Sequence, residues 1–271
     1  MPELPEVEIT RRGLAPHIVG QRIDSVVIRD RRLRWPISAD MEKQLTGKII
    51  GGTSRRGKYL LLDCEAGWLI LHLGMSGNLR IIPSNTPAKK HDHIDILLGN
   101  NTAIRFSDPR RFGAMLWTDE APETHRLLIG LGLEPLSETL SAHWLYTSTR
   151  GTRVAIKSWL MDAKRITGIG NIYANEALFR AGIRPTRPAG QISLQRLERL
   201  ASAIKDTLSR AIEAGGSTLR DFCDANGNPG YFQQEYFVYG RAIKPCLICE
   251  TPIKLIRQNG RATYYCATCQ R

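Results

Sequence analysis

Long apolar runs are missing from this 271-residue chain. Its longest, Trp68–Leu73 and Leu127–Leu133, are far too short to cross a bilayer. The opening residues, MPELPEVE, have neither a basic segment nor an apolar stretch, so no secretory signal is expected there. Acidic residues are outnumbered: 26 Asp+Glu against 38 Lys+Arg leave a formal net charge of +12. Such an excess points to a polyanionic partner, nucleic acid first and an anionic membrane surface second. With only six cysteines the chain is not a disulfide-dense secreted scaffold. Internal repeats and low-complexity tracts are also lacking. What remains is an ordinary globular balance, 42% hydrophobic and 24% charged, which excludes wholesale disorder. The length suits two or three compact units.

Four of the six cysteines carry a pattern. Cys246-x2-Cys249 and Cys266-x2-Cys269 are separated by 16 residues, the spacing of a four-thiolate zinc site on two facing knuckles. A pair of disulfides is the alternative. Four thiolates fill the coordination of zinc, so such an ion is structural, and a zinc-dependent hydrolase is not expected. Cys64 and Cys223 fit no spacing and read as packing residues.

The chain changes period along its length. Pro5, Glu6 and Glu8 suit the first turn of a short helix that Gly13 and Pro16 would end. From about Arg22 to Thr118 short β-rich runs follow one another, among them Ser25–Ile28, Lys58–Leu62, Trp68–Leu73, His93–Leu98 and Ala114–Trp117. Several short strands without long helices predict an antiparallel sandwich or barrel. Leu131–Ser137 reads as a linker. Beyond it the period becomes helical: Asn171–Ala181 stopped by Gly182, and a stripe from Leu194 to Ile212, preceded by Ser193 and stopped by Gly215-Gly216. Asp224–Gly230 reads as a loop.

Four groups of residues could carry chemistry, one of them made of two basic segments. Removal of Met1 would make Pro2 a free secondary amine, and an α-amine, with a reference pKa of about 8, is more often neutral at pH 7 than a lysine. Amines attack carbonyl-like carbons to form iminium intermediates, and Glu3 and Glu6 lie within one turn as general acid or electrostatic partners. The same residues suit ordinary helix capping. Arg55-Arg56-Gly57-Lys58 and Lys89-Lys90-His91-Asp92-His93 fit phosphate contact or a solvated surface; neighbouring strand residues face opposite sides, so His91-Asp92-His93 is not expected to share an ion. In Asp108-Pro109-Arg110-Arg111-Phe112-Gly113, a protruding Phe could wedge between bases, or simply pack in the core. Thr167-Gly168-Ile169-Gly170-Asn171 exposes backbone N–H groups before a helix, as a phosphate site or a simple cap; its spacing is not that of a nucleotide-binding loop, so no nucleotide cofactor is expected.

Together these segments resemble the bacterial formamidopyrimidine-DNA glycosylases of the Fpg/Nei family. The likeness runs essentially full length through PELPEVE (Pro2–Glu8), RRGKYLLL (Arg55–Leu62), HLGMSG (His72–Gly77), KHDH (Lys90–His93), DPRRFG (Asp108–Gly113), GIGNIYANE (Gly168–Glu176), VYGR (Val238–Arg241) and the cysteine hairpin. PELPEVE, rather than the PEGPE start of the endonuclease VIII branch, points to purine repair. The resemblance implies an α+β fold. A helix-capped antiparallel β-sandwich (1–130) and a linker (131–140) lead to a helix-two-turn-helix domain (141–224) and a four-Cys zinc hairpin (225–271), with DNA across the cleft.

Carried over by position, Pro2 is the nucleophile, Glu3 the general acid with Glu6 beside it, Lys58 the proton-transfer lysine and Arg261 the arginine of δ-elimination. Met75, Arg110 and Phe112 fill the gap left by an extruded base, with Arg110 reading the orphaned cytosine. His91, Asn171 and Tyr239 match DNA-backbone contacts. Lys157 matches a lysine linked to 8-oxoguanine handling, and Ser217–Arg220 lie in the loop that closes over the base. The family's basic run before the AIK motif is thinner here, Thr149–Val154, with Arg150 and Arg153 its cationic members. The implied partner is double-stranded DNA containing oxidised purines, the only cofactor one structural zinc, the expected state a monomer, and the setting the bacterial cytoplasm. A pyrimidine-preferring endonuclease VIII-like glycosylase and a non-catalytic zinc DNA-binding protein are the competing readings.

Overall fold

Alternation of apolar residues along short strands builds two sheets around one core in the first part of the chain. The computed structural model describes residues 1–216 and 236–271. Met1–Gly130 fall in one compact unit, and Leu131–Glu213 with the C-terminal residues to Arg271 fall in a second.

The first unit opens with α1 (Leu4–Ile18). Eight strands follow: β1 (Ile23–Ile28), β2 (Gly52–Arg56), β3 (Tyr59–Asp63), β4 (Trp68–His72), β5 (Asn78–Pro83), β6 (Asp92–Leu98), β7 (Thr102–Ser107) and β8 (Ala114–Thr118), with the short α2 (Met41–Leu45) after β1. They form two antiparallel four-stranded sheets, ordered β1-β6-β7-β5 and β2-β3-β4-β8. Leu60 and Leu62 of β3 and Leu69 and Leu71 of β4 share one buried cluster with Ile94, Ile96 and Leu98 of β6 and Ile104 and Phe106 of β7. Val7, Leu14 and Ile18 of α1 join that cluster. This is the expected helix-capped antiparallel sandwich.

Gly13 and Pro16 do not end α1, contrary to the reading from residue type. Pro16 stands inside the last turn, where its missing N–H removes one ladder bond. Leu14 and Ile18 on either side are completely buried. Burying each contributes about 1.5–3 kcal/mol, which matches or exceeds the penalty. Strands β2, β5 and β7 lay outside the apolar runs. Strand β7 holds Arg105 inside the sheet, 2% exposed, where Asp95 Oδ1 accepts from its Nε at 2.7 Å and Asp92 Oδ2 accepts from its Nη1 at 3.3 Å. A paired charge thus occupies a position that reads as solvent-facing.

The second unit contains α3 (Ala142–Thr149), α4 (Ile156–Leu160), α5 (Asn171–Arg180), α6 (Leu194–Glu213) and the hairpin of β9 (Lys254–Gln258) and β10 (Arg261–Tyr265). Ser141 caps α3 by accepting from Trp144 N–H at 3.1 Å. The stretch read as a linker is pinned to this unit: Gly132 N–H donates to Ala163, Leu133 N–H to Arg165, and Thr167 N–H back to Leu133. The hairpin docks on α5, where Tyr264 N–H donates to Asn175 Oδ1 at 2.8 Å. Among the described residues no helix is long and apolar enough to cross a membrane.

Candidate active site and nucleic-acid interface

The chain's first residues are enclosed. Glu3 is the N-cap of α1 and Glu6 its third helical residue; Glu3 N–H donates to Glu6 Oε2 at 2.8 Å, and Thr10 Oγ1 donates to the Glu6 carbonyl at 2.8 Å. The Glu-x-x-Glu spacing produces this cap, and a helix N-terminus favours the negative charge. Pro2 is buried, as are Glu3 and Glu6, which are 2% and 0% exposed. With Met1 in place, Pro2 is thus enclosed, next in the chain to Glu3, whose own N–H is bound by the Glu6 carboxyl. With Met1 attached, the Pro2 nitrogen is an amide; a chain that starts at Pro2 would carry a secondary amine there.

Lys58 stands at the tip of a hairpin. Strands β2 and β3 pair up to Arg56 and Tyr59, leaving Gly57-Lys58 as a two-residue turn, with Gly57 at φ +58°. Arg55 links this tip to α1: its Nη1 donates to the Gly57 carbonyl at 3.0 Å, and its Nε to Glu8 Oε2 at 3.4 Å. Glu8 is a hub, accepting from Arg11 at 2.8 Å and Arg12 at 2.7 Å as well. Burial acts to raise the Glu8 carboxyl, but hydrogen bonds from Arg11 and Arg12, with the charges of Arg11 and Arg55, bring it down to about 2.

On the neighbouring strand, the His72 ring lies tilted against Tyr59, centroids 4.8 Å apart, and accepts from Gly74 N–H at Nδ1, 3.0 Å away. Burial, then the charges of Lys58 and Arg34, lower its pKa to about 4. The ring is therefore neutral near pH 7.

Two loops bring Met75, Arg110 and Phe112 together. Arg110 Nη1 lies 3.7 Å from Met75 Sδ. Gly74, at φ +63°, packs so close to the second loop that a Cβ would stand 2.4 Å from the Phe112 carbonyl carbon. Met75 and Phe112 remain 39% and 51% exposed, so Phe112 is not a core residue. The arginine pair divides: Arg110 is exposed, while Arg111, turned by φ +57°, is bound by Asp30 at 2.6 Å. Beside them Lys89 and Lys90 are exposed and His91 is half-buried. Arg105 fixes that loop by donating to the carbonyls of Thr86 at 2.8 Å and Pro87 at 2.9 Å.

In the second unit, Asn171 opens α5 and donates from Nδ2 to the Ala262 carbonyl at 3.0 Å. Tyr239 is half-buried, its ring 5.2 Å from Tyr264. The backbone N–H groups of Phe237, Val238 and Tyr239 all donate to Glu176, at 2.8–3.0 Å. Burial pushes the Glu176 carboxyl up, against those three donors. Arg153 is exposed, whereas Arg150 stacks on Tyr146 and donates to Ile192 O.

Lys157 departs from a DNA-facing position. It is 1% exposed, and its Nζ donates to Ala262 O at 2.9 Å and Thr263 Oγ1 at 2.7 Å. A buried ammonium needs such acceptors, and here they bind it to β10. It lines, with Arg261, a cavity of about 170 Å³. Arg261 is exposed and follows the Asn259-Gly260 turn, whose φ values of +48° and +75° are those of a tight hairpin. Ser217–Arg220, matched to a base-covering segment, lie outside the described residues.

The four cysteines of the two knuckles converge, with all Sγ atoms within 4.8 Å of one another. Cys249–Cys266 and Cys249–Cys269 are 3.4 Å apart and Cys246–Cys269 3.9 Å. A disulfide would bring two sulfurs to about 2.05 Å. A tetrahedron of thiolates about 2.3 Å from zinc has edges of about 3.8 Å, so the set fits one structural zinc ion. Among the described residues it is the one group of three or more potential ligands so gathered; His91 and His93 stand with ring centroids 6.5 Å apart and form no such group.

Charge patterning of Glu8 with Arg11 and Arg12 could have located the α1 hub from sequence. Glu176 falls in a family motif, but no sequence signal marked its three backbone donors or the pairing of Arg105.

Three family models match the chain: the formamidopyrimidine-DNA glycosylase N-terminal domain over residues 1–115, its H2TH domain over 131–223, and the zinc finger found in FPG and IleRS over 244–271. The formamidopyrimidine-DNA glycosylase of Methylococcus capsulatus is 54% identical, over all of both chains. The solved structure of the MutM (FPG) protein from Thermus thermophilus matches with a TM-score of 0.88 and 38% identity, over 99% of this chain and 98% of that one. The Lactococcus lactis FPG (MutM) in complex with Fapy-dG-containing DNA matches with a TM-score of 0.89 and 33% identity, over 99% of this chain and 100% of that one.

Proposed function

The chain belongs to the formamidopyrimidine-DNA glycosylase family, and on that premise we propose that it excises oxidised purines, 8-oxoguanine and formamidopyrimidines, from duplex DNA and then cleaves the abasic strand. The observation that carries this reading is the seating of Pro2 and Glu3 side by side at the buried start of α1.

A lesion inside a duplex is out of reach, so the nucleotide must be turned out of the stack, at a cost of a few kcal/mol. Met75, Arg110 and Phe112 occupy the space it leaves and offset part of that cost, with Arg110 facing the orphaned cytosine. The neutral Pro2 nitrogen attacks sugar C1′. The C1′–N bond to the base breaks and the base departs. Glu3 protonates the ring oxygen, the sugar opens, and nitrogen and C1′ become an iminium. That cation acidifies the C2′ proton. Its removal, assisted by Lys58, expels the 3′ phosphate, and a second elimination, assisted by Arg261, expels the 5′ phosphate. A one-nucleotide gap remains.

His91, Asn171, Tyr239, Lys89, Lys90 and Arg153 supply cationic and hydrogen-bonding contacts to the DNA backbone. Zinc on Cys246, Cys249, Cys266 and Cys269 acts as a structural cross-link of the hairpin that carries Arg261. Lys157 acts within the same unit by holding β10 in place. The enzyme works as a monomer in the bacterial cytoplasm, on chromosomal DNA.

Incubation with a duplex carrying one 8-oxoguanine opposite cytosine tests this reading. The expected result is release of the base and two phosphate-ended fragments flanking a one-nucleotide gap. Binding without scission, by a chain that starts at Pro2, would reduce it to a DNA-binding protein. Faster excision of oxidised thymine than of 8-oxoguanine would move it to the endonuclease VIII branch.

A further inference from the structure

The Met75 loop and the Arg110–Phe112 loop share one fully buried carboxylate. Asp108 is 0% exposed. Its Oδ1 accepts from Ser76 Oγ at 2.7 Å, and its Oδ2 accepts from Gly113 N–H at 2.8 Å. Arg110 N–H points between Asp108 Oδ1 and Ser76 Oγ, 3.3 Å from each. The backbone of Asp108 is engaged as well: its N–H donates to the His91 carbonyl at 3.0 Å, and His93 Nε2 donates to its carbonyl at 2.8 Å. Three segments separated in sequence, around Ser76, His91 and Gly113, therefore meet on one residue.

We propose that Asp108 is a positioning residue that sets Met75, Arg110 and Phe112 as one preformed wedge before DNA arrives. Each of those three side chains is exposed and rotatable on its own. The bonds to Asp108 fix the backbone from which each projects, so inserting them orders fewer degrees of freedom. Arg110 depends on it most directly, because its own N–H is held by the Asp108–Ser76 pair. The proposal rests on the reading of those three residues as the set that fills the gap.

The chemistry of the carboxylate distinguishes it from an amide. An ionised carboxylate accepts on both oxygens, whereas an Asn offers one acceptor and one donor. In D108N the amide oxygen can keep Gly113 N–H, but the amide NH2 then faces Arg110 N–H, donor against donor. The substitution loosens the Arg110 side of the wedge while leaving the Gly113 side bonded. S76A removes the other half of the same clasp without touching Asp108.

Single-turnover excision of 8-oxoguanine opposite cytosine and opposite adenine is measured for wild type, D108N, S76A, F112A and D108N/F112A, with thermal unfolding in parallel. Expected is a loss on the order of ten- to a hundredfold for D108N opposite cytosine, with S76A moving the same way. The preference for cytosine over adenine should shrink, a change that loss of fold alone would not produce. D108N should slow F112A by a smaller factor than it slows wild type, because both act through the same wedge. Should D108N fail to fold, S76A carries the same comparison. Wild-type rates and an unchanged cytosine preference in a folded D108N or S76A would overturn the proposal, as would strictly multiplicative losses in the double variant. If F112A excises at the wild-type rate, the wedge reading itself fails, and the proposal with it.

Discussion

Replacing Glu8 by Gln removes the charge at the hub of α1 and the β2–β3 hairpin. The carboxyl is held at about 2 against an ordinary 4.5, with burial opposed by hydrogen bonds from Arg11 and Arg12 and the charges of Arg11 and Arg55. Its side chain is only 11% exposed, so solvent screening is limited. At about 1.4 kcal/mol per pH unit, the difference corresponds to about 3 kcal/mol of folding stability. The sign follows from the lowered value. Above about pH 4.5 the group is ionised in both folded and unfolded chains and the contribution is complete; as pH falls from 4.5 to 2 it is lost. Urea unfolding of wild type and E8Q, followed from pH 7 to pH 2, measures it. The two should differ by about 3 kcal/mol at pH 7 and converge near pH 2. A gap at pH 7 below about 0.5 kcal/mol, or one that does not narrow in acid, would refute the reasoning. E8Q should also slow elimination more than base release, because Arg55 would lose its anchor on α1 while holding Gly57 beside Lys58.

His72, lowered to about 4 by burial and by the charges of Lys58 and Arg34, should show no NMR titration between pH 5.5 and 8; its contribution to stability is complete above about 6.5 and fades toward 4, and a midpoint near 6.5 would contradict the cause given. Stripping zinc with a strong chelator, or the change Cys249→Ser, should unravel the hairpin and abolish stable DNA binding, measured by fluorescence anisotropy; retained affinity would remove the structural role of the metal. Affinity should fall steeply with salt, and Lys90→Ala should lower the slope of log K against log salt by about 0.9, whereas an unchanged slope would take Lys90 off the DNA.

Elements with a strong period were readable from residues alone. Helix α6, with Leu197, Leu200, Ala201, Ile204, Leu208, Ala211 and Ile212 buried, follows its stripe closely. The cysteine spacing likewise led to the observed cluster. Positions decided by tertiary pairing were not readable. Arg105 hides a strand because its carboxylate partners, Asp92 and Asp95, come from the neighbouring β6. Pro16 sits in a helix because its neighbours are buried. Lys157, matched by resemblance to a lysine that handles 8-oxoguanine, is buried because β10 supplies acceptors for it. Which of Arg110 and Arg111 faces solvent is set by Asp30, 80 or more positions earlier in the chain. The residues proposed to perform the chemistry were legible through family motifs; the supporting roles of Asp108, Arg55 and Glu176 became visible only through their hydrogen bonds.

The account stands on the Pro2 nitrogen as the atom that joins the sugar. Borohydride added during turnover of an 8-oxoguanine duplex should leave a covalent protein–DNA adduct, and peptide mass spectrometry should place the sugar on Pro2 in a chain that begins there. An adduct mapped to Lys58 or another amine, or equally rapid base release by a chain whose N-terminus is extended and blocked, would contradict it.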